Sequence, residues 1–134
     1  MNELRSTIYE LLDHAEREFG PRDAVRYKVK TAAAGGKKET QVEAKTYTQL
    51  KEDSSHFSAA LAELGQQGKH IAILGATSYS WITAYYGIVN GCSVAVPLDA
   101  NLPAEELCEL IDRADVTALV YDKTKAEAAG SAAK

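Results

Sequence analysis

The most suggestive spacing in the chain is Gly75-Ala76-Thr77-Ser78, which follows the apolar run Ile71-Ala72-Ile73-Leu74. A glycine there permits a tight turn, Ser78 can cap a helix, and free N–H groups at the helix start could hold an anion. The same residues make an ordinary strand-to-helix turn, which is the reading adopted. A stand-alone small nucleotide- or anion-binding α/β module using Gly75 to Ser78 is the alternative. No G-x-G-x-x-G fingerprint is present. Gly35-Gly36-Lys37-Lys38 shares glycines and a lysine with a phosphate loop. It lacks the earlier glycine and the Ser or Thr after the lysine, so it reads as a turn tip. Asp99 and Asp122 each follow a further apolar run, where strand-end carboxylates can bind metal or ribose. Asp99-Ala100-Asn101-Leu102-Pro103 also makes a turn into a helix that Pro103 starts well, and the turn is preferred. Glu105 and Glu106 then meet that helix's dipole.

The remaining reactive types are dispersed. His14, His56 and His70 have no Ser, Cys or Asp partner in register, so a triad is not expected. Trp81, Tyr85 and Tyr86 form a stripe at helical spacing, read as packing. An interaction subunit that docks a partner through this stripe is a further alternative. Cys92 and Cys108 form no C-x-x-C pair and are expected to be small buried thiols in a reducing compartment. No residue of the chain is assigned a catalytic, cofactor-binding or metal-ligating role.

Elements able to position these residues follow from hydrophobic period. Leu4, Ile8, Leu11, Leu12, Ala15 and Phe19 recur at helical spacing, and Gly20-Pro21 ends that helix. The stretches 24–30 and 40–47 alternate apolar and polar residues across a turn at 32–38, which predicts an antiparallel hairpin. Thr48 can cap the next helix, whose apolar stripe is Leu50, Phe57, Ala60, Leu61 and Leu64; Gly65 or Gly68 stops it. Three continuous apolar runs, 71–74, 93–98 and 118–121, suit strands buried on both faces. Helix-length segments at 78–90 and 104–114 separate them. The fold class expected is therefore α/β: an N-terminal helix and β-hairpin (1–46), a βαβαβ parallel-sheet core (47–125) and a small-residue tail (126–134) that is helical at best.

Bulk composition bounds the function. With 134 residues and 46% apolar content the chain has material for a core of one domain at most. A net charge of -4 speaks against nucleic acid as partner. The local basic cluster, Lys37-Lys38 with Lys28, Lys30, Lys45 and Lys51, reads as a solvated hairpin face. No signal peptide opens the chain and the most apolar helix is too short to span a bilayer, so no integral membrane segment and a cytoplasmic location are expected.

Several motifs in order resemble the AMP-forming adenylating enzymes. These are Thr46-Tyr47-Thr48-Gln49-Leu50, Leu64-Gly65 with Gly68-Lys69-His70-Ile71-Ala72-Ile73-Leu74, and Ser78-Tyr79-Ser80-Trp81-Ile82 with Ala84-Tyr85-Tyr86-Gly87-Ile88. Asn90 to Asp99, Leu102-Pro103, Glu105-Glu106-Leu107 and Ala118 to Tyr121 continue the likeness. The wording is most similar to bacterial long-chain fatty-acid–CoA ligases. Ala76, Thr77, His70 and Ser80 depart from that pattern. The resemblance implies an N-terminal scaffold segment of a larger ligase, whose remainder is the segment's partner. It implies ATP, Mg and CoA for the parent: a carboxylate joins AMP, pyrophosphate leaves, and the acyl group passes to CoA. The family's Gly-rich phosphate loop, acidic metal ligand and catalytic lysine do not occur here. The segment alone is therefore expected to be inactive, to carry no cofactor, and to self-associate through a strand edge or the Trp81 and Tyr85 face.

Overall fold

The computed structural model describes residues 7–32, 35, 36 and 38–132. The expectations placed on Leu4, on Ala33, Ala34 and Lys37 at the hairpin tip, and on Ala133 and Lys134 lie outside the described residues. The chain forms two compact units, Met1–Glu52 and Asp53–Lys134.

In the first unit, helix α1 (Ile8–Phe19) opens on a capping box: Thr7 accepts from the Glu10 N–H, and the Glu10 side chain accepts from the Thr7 N–H. Strands β1 (Asp23–Ala32) and β2 (Lys38–Thr46) pair antiparallel in the expected hairpin. An irregularity between Asp23 and Val25 sits at its base. Tyr47 was expected to close the second strand and Thr48 to cap the helix. Instead Tyr47 begins α2 (Tyr47–Glu63), and Thr46 is the cap. Thr46 Oγ1 accepts from the Gln49 N–H at 3.2 Å while Gln49 Oε1 accepts from the Thr46 N–H at 3.0 Å. Thr48 instead lends its hydroxyl to Glu16. Lys51 does not join the basic cluster: it bridges Asp13 at 2.5 Å and Glu16 at 3.3 Å. That hydrogen bond holds the Asp13 carboxyl below the usual carboxylate range and raises the Lys51 ammonium above its ordinary value.

The second unit holds a three-stranded sheet of order β4-β3-β5, built from β3 (His70–Leu74), β4 (Val94–Leu98) and β5 (Val116–Tyr121). All pairings are parallel, as expected. Helix α3 (Tyr79–Asn90) joins β3 to β4, and α4 (Ala104–Arg113) carries the chain from β4 across to β5. Right-handed crossovers in opposite directions put α3 and α4 on opposite faces of the sheet. On one face Ile71 and Ile73 pack with Ala84, Ile88 and Leu61. Full burial of Ile71 and Ile88 stabilises by about 1.5–3 kcal/mol each. Helices α4 and α5 (Ala126–Ala132) pack on each other and on β5, burying Leu107 and Ala129. Residues 126–132 of the tail thus form a docked helix.

Two burial expectations change. Only β3 is buried on both faces; β4 and β5 are edge strands and stay partly exposed. On α2 the stripe runs through Leu50, Ser54, Phe57 and Leu61, leaving Ala60 and Leu64 exposed. Leu64 lies beyond the helix, which closes with a 6→1 bond from the Gln66 N–H to the Leu61 carbonyl around Gly65 at φ +69. Helix α3 ends the same way, with Cys92 in the left-handed position at φ 61. That places the Cys92 thiol in solvent rather than buried, and Cys108 is half-buried. No helix among the described residues is long and apolar enough to cross a membrane.

Candidate functional site

From the carboxyl end of β3 the chain passes through α3 to β4 on one side of it, and from β4 it crosses over to β5 on the other side, so the sheet order reverses between β3 and β5. Such a switch point is where open parallel sheets leave a crevice for ligands. One is present, lined by Leu74, Gly75, Ser78, Trp81, Tyr121 and Asp122, with a volume of about 80 Å³.

Each wall is built locally. Ser78 caps α3, its hydroxyl accepting from the Trp81 N–H at 3.1 Å, as the sequence predicts. Trp81 turns its indole toward the core and stacks on Tyr85, ring centroids 5.6 Å apart, with Tyr86 edge-on to Tyr85. This supports the packing reading of the stripe. Tyr79 ties the start of α3 to α2, donating to Asp53 at 2.6 Å.

The floor is held by Asp122. Its backbone N–H donates to the Leu74 carbonyl at 3.2 Å, continuing the β3–β5 pairing by one residue. Its carboxylate accepts from the Ala76 N–H at 3.0 Å on the β3 side. On its own side it accepts from the N–H of Thr124 at 2.8 Å and from the Thr124 hydroxyl. The Thr124 hydroxyl first, then the Ala76 N–H, hold this carboxyl below the usual carboxylate range. The close approach also explains Gly75. A Cβ there would lie 2.7 Å from Asp122 Oδ2, so the residue is small because of a carboxylate, not because a turn needs positive φ.

Chemically this arrangement is a clamp. The Ala76 N–H, one donor that an anion at this turn would use, already has a carboxylate on it. Nucleotide pockets run from about 300 Å³ upward, so the crevice does not fit an adenylate. No step of nucleotide chemistry is assigned to it. Among the described residues no group of three or more His, Cys, Asp or Glu is placed to hold a metal ion. A shallow concavity of about 600 Å³ runs along Pro21 to Arg26. Its Arg26 and Asp23 pair with each other at 2.7 Å.

The other sequence candidates are not brought together. Asp99 accepts from the N–H and side chain of Asn101, forming the expected turn. Pro103 is the N-cap of α4, with Glu105 and Glu106 in its first turn. His70 holds the Ala114 carbonyl through Nδ1 at 2.6 Å, His56 is exposed on α2, and His14 lies on α1. Sequence reasoning missed the Thr46–Gln49 box, although Thr-x-x-Gln before an apolar run is its signature. It also missed the Asp122–Ala76 link, for which no local signal exists because 46 residues separate the partners.

Comparison with known proteins places these features in context. A family model described as AMP-binding enzyme matches residues 20–134. The (7a-methyl-1,5-dioxo-octahydro-1H-inden-4-yl)propanoyl:CoA ligase of Rhodococcus jostii (strain RHA1) is 31% identical over 121 residues, 90% of this chain and 21% of that protein. The D-alanine–D-alanyl carrier protein ligase of Lacticaseibacillus rhamnosus is 27% identical over 75 residues, 56% of this chain and 15% of its own length. The chain thus spans about a fifth or less of the curated relatives it matches. Among solved structures, the A domain of carboxylic acid reductase from Segniliparus rugosus superposes with a TM-score of 0.81 at 17% identity, covering 98% of this chain and 23% of that one. A Mycobacterium tuberculosis fatty acyl CoA synthetase gives 0.71 at 20% identity, with 93% and 23% covered. These likenesses establish the fold as that of the N-terminal part of adenylating enzymes.

Proposed function

The chain belongs to the AMP-binding enzyme family, and from that premise we propose that it builds the opening part of the adenylation domain of an ATP-dependent acid–CoA ligase. In the proposed reaction an apolar carboxylic acid, fatty or ring-bearing, attacks the α-phosphorus of ATP. Pyrophosphate leaves, and the thiol of CoA then displaces AMP from the acyl adenylate. Mg, ATP and CoA would be engaged by parts of the ligase beyond this segment. The observation that carries the reading is the likeness to a CoA ligase along 90% of the chain.

Within that ligase residues 1–134 act as scaffold. The Asp122 clamp across β3 and β5 supports this role: it rigidifies the strand ends and leaves a space of about 80 Å³. The cytoplasm, where ATP and CoA are at hand, is the proposed location. A second reading, transfer to a carrier protein, rests on the D-alanyl carrier protein ligase relative.

The test is acid-dependent exchange of pyrophosphate into ATP by the protein that contains this segment, followed by AMP release on adding CoA. Long-chain fatty acids, ring-bearing propanoic acids and D-alanine form the panel. Exchange with an apolar acid and CoA-dependent release are expected. Exchange with D-alanine alone would favour the second reading, and no exchange with any acid would overturn both. Residues 1–134 alone are expected to turn over no ATP; turnover by them would overturn the scaffold assignment.

A further inference from the structure

The hairpin is segregated by charge in a way that composition conceals. In its register Lys28 faces Val42, Lys30 faces Thr40, Ala32 faces Lys38 and Arg26 faces Ala44. Directly opposed residues of an antiparallel pair share a face, and so do residues two apart. Arg26, Lys28, Lys30 and Lys38 therefore lie on one face, and all four are exposed. Glu39 and Glu43 oppose Thr31 and Tyr27 on the other, where the Tyr27 hydroxyl reaches Glu43 at 3.1 Å. Among the described residues of β1 and β2 that face each other on the basic side, none is acidic; Asp23, at the irregular base, pairs with Arg26. In the middle of the lysines stands Val42, 65% exposed.

Neighbouring cations on one face repel each other, with Lys28 and Lys30 only about 6.6 Å apart along the strand. Interleaving them with the available glutamates would relieve this, yet the register does the opposite. We propose that this face of the hairpin, Lys28, Lys30 and Lys38 around Val42, docks on an anionic phospholipid surface. Three features select this occupant. The cations share one face of a single two-stranded ribbon, so they can approach a surface together. Its centre is an exposed apolar side chain that the headgroup region can cover. It carries no aromatic ring on which a nucleic-acid base could stack. This inference is independent of the proposed reaction.

The test is co-sedimentation of the full chain with vesicles of phosphatidylcholine, alone or with phosphatidylglycerol. Binding only to the anionic vesicles, weakening with salt, is expected. Each basic residue near an anionic surface contributes roughly a fivefold factor in partitioning. Lys28→Glu/Lys30→Glu should therefore lower the partition coefficient by about 25-fold or more. Lys69→Glu/Lys123→Glu, the same change in net charge away from the hairpin, should change it little. Circular dichroism of both variants confirms that they fold, which is expected because all four side chains are exposed. Four outcomes overturn the proposal: no binding to anionic vesicles at low salt, equal binding to neutral ones, equal loss in both double variants, or tighter binding to an oligonucleotide than to the vesicles.

Discussion

Alanine at Gly87 puts the packing of α3 against the second half of α2 to a severe test. Helix propensity alone favours Ala over Gly by about 1 kcal/mol in a helix interior. The structure predicts the opposite sign. A Cβ at Gly87 would lie 2.8 Å from Phe57 Cδ1, 2.9 Å from Phe57 Cβ and 2.9 Å from the Ser54 carbonyl oxygen. Two of those atoms, the carbonyl oxygen and the Cβ, cannot swing away, so the helices must part. Ser58, whose hydroxyl donates to the Gly87 carbonyl, would be pulled with them. Overpacking costs about 1–3 kcal/mol, and with immobile neighbours the upper end applies. Subtracting the propensity gain leaves a net loss of about 2 kcal/mol. With a urea slope of roughly 2 kcal/mol per molar, the unfolding midpoint should fall by about 1 M. Gly130→Ala in α5 is the control, since nothing lies within 4 Å of its added Cβ; it should gain up to about 1 kcal/mol. A Gly87→Ala midpoint at or above that of the parent would refute the close helix contact.

Cys92→Gly should raise the thermal midpoint, because Cys92 holds φ 61 and a left-handed L-residue costs about 1–2 kcal/mol. Asp115→Gly, at φ 51, should raise it less, since aspartate tolerates that region better. Unchanged melting for Cys92→Gly would mean the turn after α3 is not left-handed. For Asp122 the folded-state carboxyl titrates below its ordinary value, so the clamp stabilises above about pH 4 and fades as pH falls through the lowered pKa. Urea midpoints between pH 5 and pH 3 should accordingly drop more steeply for the parent than for Asp122→Asn; parallel curves would argue against the clamp. The two sheet edges differ, β4 carrying Pro97 and β5 neither proline nor charge. Self-association through the β5 edge is expected in light scattering at high concentration, and Thr117→Lys should reduce it; a monomeric parent would dispose of the idea.

Local sequence determined most of the elements. Hydrophobic period located the helices and the three parallel strands, because burial of one stripe or one run depends only on neighbours along the chain. Glycine and serine at the ends of α2 and the start of α3 were legible for the same reason, as their caps close within a turn. The strands' order in the sheet, and hence which strand ends meet, was not, because parallel pairing joins distant segments. Nothing near Gly75 announces that Asp122 will close on it and occupy its neighbour's N–H. The lysines of the hairpin were visible as a cluster, yet the cluster itself was misdrawn. Register puts Lys28, Lys30 and Lys38 together, sends Lys45 to the other face opposite Val25, and leaves Lys51 on α2 with Asp13. A strand's side chains alternate with a period of two, so a shift by one residue would have mixed the charges. Composition can count charges, but only pairing decides which of them face the same way.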